Sequence, residues 1–369
     1  MKRRDFVAAG ATGAIGAGLS GCSGLGSRKF VISEKEPTAI NLKKKVPAPV
    51  GTMPMGVLGE TGIKVSKIAF GSHMLTELRE YEKEREWMIR EANDLGVNLF
   101  DVYDIEHKVY QYEPMGRYLQ PIRKDVSISI TLRPYDGRNF IQEFERDLKA
   151  FRTDYIDMVR IHATKKDIDA ATPSNQRWEW WEQLFKLKEQ GKIRAVGIPV
   201  HNHDELAMPL AEVPLDFVIL PYNFYHNWYR LEPQDFDSLI KDLRKRGIGV
   251  ITMKPRLGDR LSTPFQKIAQ QIEETGSVNY SKACLRYIIN APVEVDSTLV
   301  GMNNPYHVHE NIDAFFNPGM SDEERKLISK LRKVAKINNV TKNLLPEYYK
   351  FLDEYAPDSW DDSDLFGTA

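Results

Sequence analysis

Asp154-Tyr155-Ile156-Asp157-Met158-Val159-Arg160-Ile161-His162 and Gly191-Lys192-Ile193-Arg194-Ala195-Val196-Gly197-Ile198 are the two stretches whose reading decides the fold. Each contains a short β-branched or apolar run. Outward from them, similar runs recur at 67–70, 98–101, 126–132, 156–162, 195–198, 217–221, 249–253 and 297–300. The segments between carry helical spacing, as in Trp87, Ile89, Ala92 and Leu95, or Leu239, Leu243 and Ile248. Eight runs, each followed by a helix-like stretch, predict an α/β fold: a single closed parallel (β/α)8 TIM barrel. No internal sequence repeat is visible.

Bulk numbers allow one large globular domain or two small ones. The chain has 369 residues, 42% hydrophobic and 28% charged. Its formal charge of -1, from 51 Lys+Arg against 52 Asp+Glu, carries no nucleic-acid footprint. With only Cys22 and Cys284, a disulfide framework and a cysteine-rich metal site are excluded.

The first residues read as a targeting segment. Arg3-Arg4-Asp5-Phe6 precedes a weakly apolar, Ala- and Gly-rich run over residues 7–19, the charged start and apolar middle of an export signal. The arginine pair points to the twin-arginine route. Leu19-Ser20-Gly21-Cys22 resembles a bacterial lipobox, in which the cysteine is acylated and becomes the new N-terminus. An acylated Cys22 would anchor the protein to the membrane by the two-chain rule. Loss of residues 1–21 removes Lys2, Arg3, Arg4 and Asp5, so the mature charge becomes 48 − 51 = −3. The expected division is 1–21 export signal, 22–54 lipidated cysteine and flexible tether, 55–335 barrel, and 336–369 C-terminal helix and acidic tail. The expected location is the cell envelope. The expected partners are a small-molecule substrate and the membrane, with no nucleic acid or protein partner.

The two quoted stretches resemble the fourth and fifth barrel strands of the aldo/keto reductase family, which reduces carbonyls with NADP(H). Residues 55–66, with Thr61-Gly62 as a turn, resemble the hairpin that plugs the family's barrel floor. The resemblance covers residues 55–335 and implies an oxidoreductase whose reacting groups sit at the C-terminal ends of strands. The family's reaction uses a Tyr proton donor, a Lys that lowers its pKa, an Asp that pairs with the Lys, and a His that orients the carbonyl. Asp101 matches the Asp and His162 the His. The family spacing lands on Glu106 where the Tyr belongs. Tyr110, in Val109-Tyr110-Gln111-Tyr112-Glu113-Pro114-Met115-Gly116, is the better match, ahead of Tyr103. The Lys is absent: Thr-Lys of the family falls on Thr131-Leu132.

An uncompensated buried carboxylate is costly. Strand alternation puts Arg160 on the face of His162, so Arg160 is expected to enter the barrel and pair with Asp101 in place of the missing lysine. Arg133 and Lys254 are the other cations in reach. Arginine does not deprotonate and cannot be tuned as lysine can.

The implied cofactor pocket is split. At its nicotinamide end, the family's Ser-Asn pair is Pro199-Val200, its Gln is Ile219 and its stacking aromatic is Met253. Its adenine end is better matched by Gly301, Met302, Asn303 and then Glu310 and Asn311, with backbone that can hold a phosphate ahead of a helix. Asn303 stands where the family has a basic residue; Lys254, Pro255 and His307 lie near. Two other readings stay open. One is a redox-inactive barrel binding a sugar or other small ligand at the cell envelope, through Trp178, Trp180, Trp181, Tyr222, Phe224, Tyr225, Trp228 and Tyr229. The other is a hydrolase with a metal on His162, His201, His203, Asp101 and Glu106, though that spacing matches no metal signature.

Overall fold

The computed structural model describes residues 46–72, 81–103, 112–132, 140–161, 179–201, 206, 210, 212–225, 235–256, 278–302 and 304–337. A two-stranded antiparallel hairpin, β1 (Met55–Val57) and β2 (Lys64–Ser66), opens the fold. Eight parallel strands then close a barrel: β3 (Ile68–Gly71), β4 (Leu99–Val102), β5 (Ser127–Leu132), β6 (Ile156–Ile161), β7 (Ile193–Pro199), β8 (Phe217–Pro221), β9 (Gly249–Met253) and β10 (Ser297–Gly301), with β10 pairing back onto β3. The (β/α)8 barrel expected from the eight runs is therefore present, each strand within a few residues of its run.

The described helices are α1 (Glu82–Asp94), α2 (Tyr112–Leu119), α3 (Phe140–Phe151), α4 (Glu179–Glu189), α5 (Phe236–Lys245), α6 (Tyr280–Ile289), α7 (Pro305–Phe316) and α8 (Asp322–Ile337). Their ends follow local chemistry. Asp235 caps α5 by accepting from Ser238 N at 3.0 Å, and Asn279 caps α6 by accepting from Lys282 N at 2.9 Å. Ser321 and Glu324 form a reciprocal capping box at α8: Glu324 N donates to Ser321 Oγ at 3.1 Å, and Ser321 N donates to Glu324 Oε2 at 2.9 Å.

Strand alternation sorts side chains into two cores. Ala69, Leu99, Met158, Ala195, Phe217, Ile219, Ile251, Met253 and Leu299 fill the barrel interior, where Leu58, Ile63 and Val65 of the hairpin join them. Phe70, Phe100, Ile130, Leu132, Val159, Val196, Val218 and Val300 face outward and pack on the helices. The hairpin seals the floor by close backbone approach. Gly59 has φ +47°, and a Cβ there would lie 2.3 Å from Gly247 O. Glu60 N donates to Gly247 O at 2.9 Å.

Three aspartates repeat one device at the N-terminal end of the barrel. Asp157 in β6 accepts from Ile128 N of β5 at 2.9 Å and pairs with Arg123 at 2.8 Å and Arg194 at 2.6 Å. Asp216, one residue before β8, accepts from Val196 N of β7 at 2.8 Å and pairs with Lys188 at 2.6 Å. Asp296, one residue before β10, accepts from Val250 N of β9 at 2.8 Å and from Gly59 N at 3.1 Å, and pairs with Arg244 at 2.6 Å. Each carboxylate joins the later strand to the earlier one and offsets its own burial with a cation.

The packed structure starts ahead of the hairpin. Residues 46–54, read from sequence as part of a tether, lie against the barrel. Met53 is buried in the outer core, and Pro54 O accepts from Lys67 N at 2.8 Å. His309 of α7 contacts Val46 O at 3.0 Å through Nδ1 and Glu91 of α1 at 3.0 Å through Nε2. Burial opposes a charge on this imidazole, but the Glu91 carboxylate and the Val46 carbonyl outweigh it and raise the His309 pKa above its ordinary value. Both partners are acceptors, so the contacts select the doubly protonated ring. No helix among the described residues is long and apolar enough to cross a membrane.

Candidate active site

The C-terminal half of the barrel interior holds a polar layer above apolar floor packing. Its register follows from strand pairing: Asp101 of β4 lies opposite Ser129 of β5, and Thr131 of β5 lies opposite Arg160 of β6. Asp101, Ser129, Thr131 and Arg160 are all buried, with exposures of 2, 1, 5 and 4%. Arg160 enters the barrel. Its Nη1 bonds Asp101 Oδ1 and donates to Ser129 Oγ at 2.7 Å, while its Nη2 donates to Asp101 Oδ2 at 3.0 Å. The result is an end-on, two-bond arginine–carboxylate pair, the geometry that best offsets desolvation. The serine hydroxyl fixes the fork from the neighbouring strand.

The side chain at 132 does not occupy the place assigned to the lysine it replaces. Leu132 packs outward against the helices, and the inward residue at that end of β5 is Thr131. The cation therefore arrives from the next strand, at the height where Asp101 needs it. Thr131 Oγ1 is buried and has no hydrogen-bond partner among the described residues. Ser129 and Thr131 were not singled out in the sequence reading. The signal that finds them is the alternation Ser127, Ser129, Thr131 along a strand whose other face is Ile128, Ile130 and Leu132.

The other expected groups distribute unevenly. Tyr110, His162, Asn303, Glu106, Arg133, His203, Trp178, Trp228 and Tyr229 lie outside the described residues. Tyr103, just past β4, is 7% exposed. Lys254 follows β9 with φ +59° and 5% exposure, a left-handed backbone that is uncommon for a residue other than glycine. Two contacts hold it there: Asn223 Nδ2 donates to Lys254 O at 3.3 Å, and Tyr222 N donates to Met253 O at 3.0 Å. Pro255 continues the same turn.

Among the described residues, the aromatic set expected for sugar stacking serves packing. Trp181 and Tyr222 are fully buried in the outer core, and Phe224 is 1% exposed. Tyr222 donates to Asp237 Oδ1 of α5 at 2.5 Å. Burial, then the Asp237 carboxylate, raises its pKa well above the ordinary tyrosine value.

A nicotinamide dinucleotide fits one end of the site better than the other. Gly301 ends β10, and α7 follows with Pro305 at its start and Asn304 as cap, the side chain accepting from Tyr306 N at 3.4 Å. Glu310 and Asn311 are buried on α7 at 8 and 6%. Met302 contributes only backbone, because its side chain is buried in the outer core. At the other end, Ile219 and Met253 belong to the apolar interior, and Val200 points into the outer core. None of these three can hydrogen-bond a carboxamide through its side chain.

A family model described as the aldo/keto reductase family matches residues 67–333. The chain belongs to the aldo/keto reductase family. Its relatives include L-galactose dehydrogenase of Arabidopsis thaliana, 27% identical over 282 residues, covering 70% of this chain and 86% of that protein. Aldo-keto reductase YhdN of Bacillus subtilis is 26% identical over 183 residues, covering 46% of this chain and 53% of that protein. Among solved structures, aldo-keto reductase AKR11C1 from Bacillus halodurans aligns with a TM-score of 0.58 at 20% identity, over 76% of this chain and 96% of that one. Identity that low speaks for the barrel alone. Aldo/keto reductases generally use NAD(P)H.

Proposed function

We propose that this aldo/keto reductase is an NADP(H)-dependent carbonyl–alcohol oxidoreductase with an altered proton relay, in which Arg160 does the electrostatic work of the family's lysine. The observation that carries the proposal is the two-bond pair between Arg160 and Asp101, locked by Ser129. A barrel that had only kept its scaffold would have little reason to bury a cation and an anion among strands, since apolar replacements of such pairs are often neutral or stabilising.

When bound, NADP(H) supplies the hydride to the carbonyl carbon. Gly301, Asn303, Glu310 and Asn311 would hold its adenine end, with Lys254 and Pro255 toward the pyrophosphate. Asp101 keeps Arg160 in place. The guanidinium stabilises negative charge developing on oxygen but neither takes up nor releases a proton. Tyr110 delivers the proton to the carbonyl oxygen, and His162 orients that oxygen. Reduction thus converts C=O to CH–OH with one hydride and one proton.

The apolar side chains of Ile219 and Met253 favour a second reading, a barrel that binds a small ligand without redox turnover. Export through the twin-arginine route and anchoring by acylated Cys22 complete the proposal. An enzyme outside the cytoplasm has no ready nicotinamide pool, which suits a nucleotide held tightly before export.

The test is to isolate the native protein from the membrane fraction, denature it, and identify what is released by mass spectrometry. NADP(H) in near-equal amount with a lipid-modified Cys22 is expected. Nucleotide-free protein that consumes no NADPH with any carbonyl would defeat the redox proposal.

A further inference from the structure

The Arg160–Asp101 pair uses only part of the guanidinium. Nη1 spends both hydrogens, on Asp101 and Ser129, and Nη2 spends one on Asp101. The Nε–H and the outer N–H of Nη2 make no hydrogen bond among the described residues. These two donors lie parallel along one flank of the planar group, a second fork matched to two coplanar oxygens. The hydroxyl of Thr131, opposite Arg160 on the neighbouring strand, is buried and equally unpartnered. Such groups are rare in a finished interior unless something else meets them. The level below is sealed, with Met158 at 0% and Ser129 at 1% exposure. Thr131 and Arg160, one step nearer the C-terminal ends of β5 and β6, keep 5 and 4%.

We propose that the free flank of Arg160, together with the Thr131 hydroxyl, binds the carboxylate of the substrate, which makes the substrate class a 2-oxo acid and its 2-hydroxy acid. This rests on the oxidoreductase reading and adds what that reading does not specify. A carboxylate supplies two coplanar oxygens at the spacing of the fork, and its remaining lone pairs accept from Thr131. Asp101 occupies the adjacent edge of the guanidinium, and the two carboxylates share Nη2 through its two separate N–H groups. Arginine in place of lysine then has a specific use: an ammonium group cannot grip two planar carboxylates at once.

Isothermal titration calorimetry of the full processed protein with oxamate, a 2-oxo acid isostere that is not reduced, and with its neutral amide oxamide tests the proposal. Oxamate is expected to bind at least about tenfold more tightly than oxamide, the range of one charge-assisted hydrogen bond. Thr131→Val keeps side-chain size, removes an unpartnered hydroxyl, and is expected to fold normally. It should weaken oxamate by about tenfold. Arg160→Lys should abolish the preference for oxamate. Equal affinity for the two probes, or unchanged oxamate binding by Thr131→Val, overturns the proposal. Failure of the redox reading looks different. Oxamate binding without pyruvate-dependent NADPH consumption keeps the carboxylate site and removes the reductase. NADPH consumption with neutral aldehydes and no oxamate binding does the reverse.

Discussion

Replacing Arg160 with methionine is the most informative perturbation of stability. Methionine fills similar length without charge, so Asp101 at 2% exposure loses both bonds from the guanidinium, and Ser129 loses its donor. Breaking one side of a buried ion pair leaves an uncompensated charge and costs about 3–5 kcal/mol. For a barrel of this size, with unfolding entropy of about 2.1 cal/mol/K per residue, that cost lowers the melting temperature by roughly 5–8 °C. The second leg of the cycle removes the charge as well. Asp101→Asn in the Arg160→Met background leaves a neutral amide beside Ser129, its register neighbour, so it is expected to recover more than half of the loss. Asp101→Asn alone leaves Arg160 with one good acceptor and falls between. Urea unfolding of the four proteins gives a coupling energy, expected to be at least about 2 kcal/mol, the upper range for residues in direct contact. Additive single effects, or an Arg160→Met protein as stable as the parent, would show that the two side chains do not pair in solution.

Other outcomes follow from the same geometry. Asp296→Ala strips acceptors from Gly59 N and Val250 N and leaves Arg244 only Glu294, at 3.6 Å, so it should cost about 2–5 kcal/mol by urea unfolding, chiefly from the two orphaned N–H groups, and loosen the floor hairpin. Gly116→Ala would place a Cβ 2.1 Å from Ala150 O and push α2 from α3; overpacking of this kind costs about 1–3 kcal/mol, read as a lower urea midpoint. His309 has a raised folded pKa, so its stabilisation is fully present below the unfolded value of about 6.5 and is lost as pH rises through the folded one. The melting-temperature gap between the parent and His309→Phe should therefore be wider at pH 6 than at pH 9. Separately from the geometry, the proposed acylation predicts that Cys22→Ser moves the protein from the membrane fraction to the soluble envelope fraction.

The barrel was legible because its signal is local. Eight β-branched runs, spaced by amphipathic stretches, leave few topologies, and the hairpin turn at Thr61-Gly62 is a two-residue signature. The pairing of Arg160 with Asp101 also came from a local rule, alternation along one strand, joined to the cost of an unpaired carboxylate. What escaped was register between strands. Alternation within residues 127–132 separates Ser129 and Thr131 from Leu132, but nothing there says that Ser129 meets Arg160, or which of the two faces turns inward; closure of the barrel sets both. Trp181 and Tyr222 looked available to a ligand because aromatic residues after strands serve packing and stacking alike, and only burial tells the two apart. The packing of residues 46–54 was hidden in a segment without periodicity, since its partners, Lys67 and His309 among them, lie further along the chain.

Carbonyl-dependent consumption of NADPH by the parent and by Arg160→Met, compared at a temperature where both are folded, bears most directly on whether the guanidinium serves the chemistry. Turnover by the parent and a loss of about 100-fold or more in the variant is the expected result, the scale of removing one preorganised charge-stabilising donor. Equal rates in the two proteins would show that Arg160 holds the barrel together and takes no part in reduction.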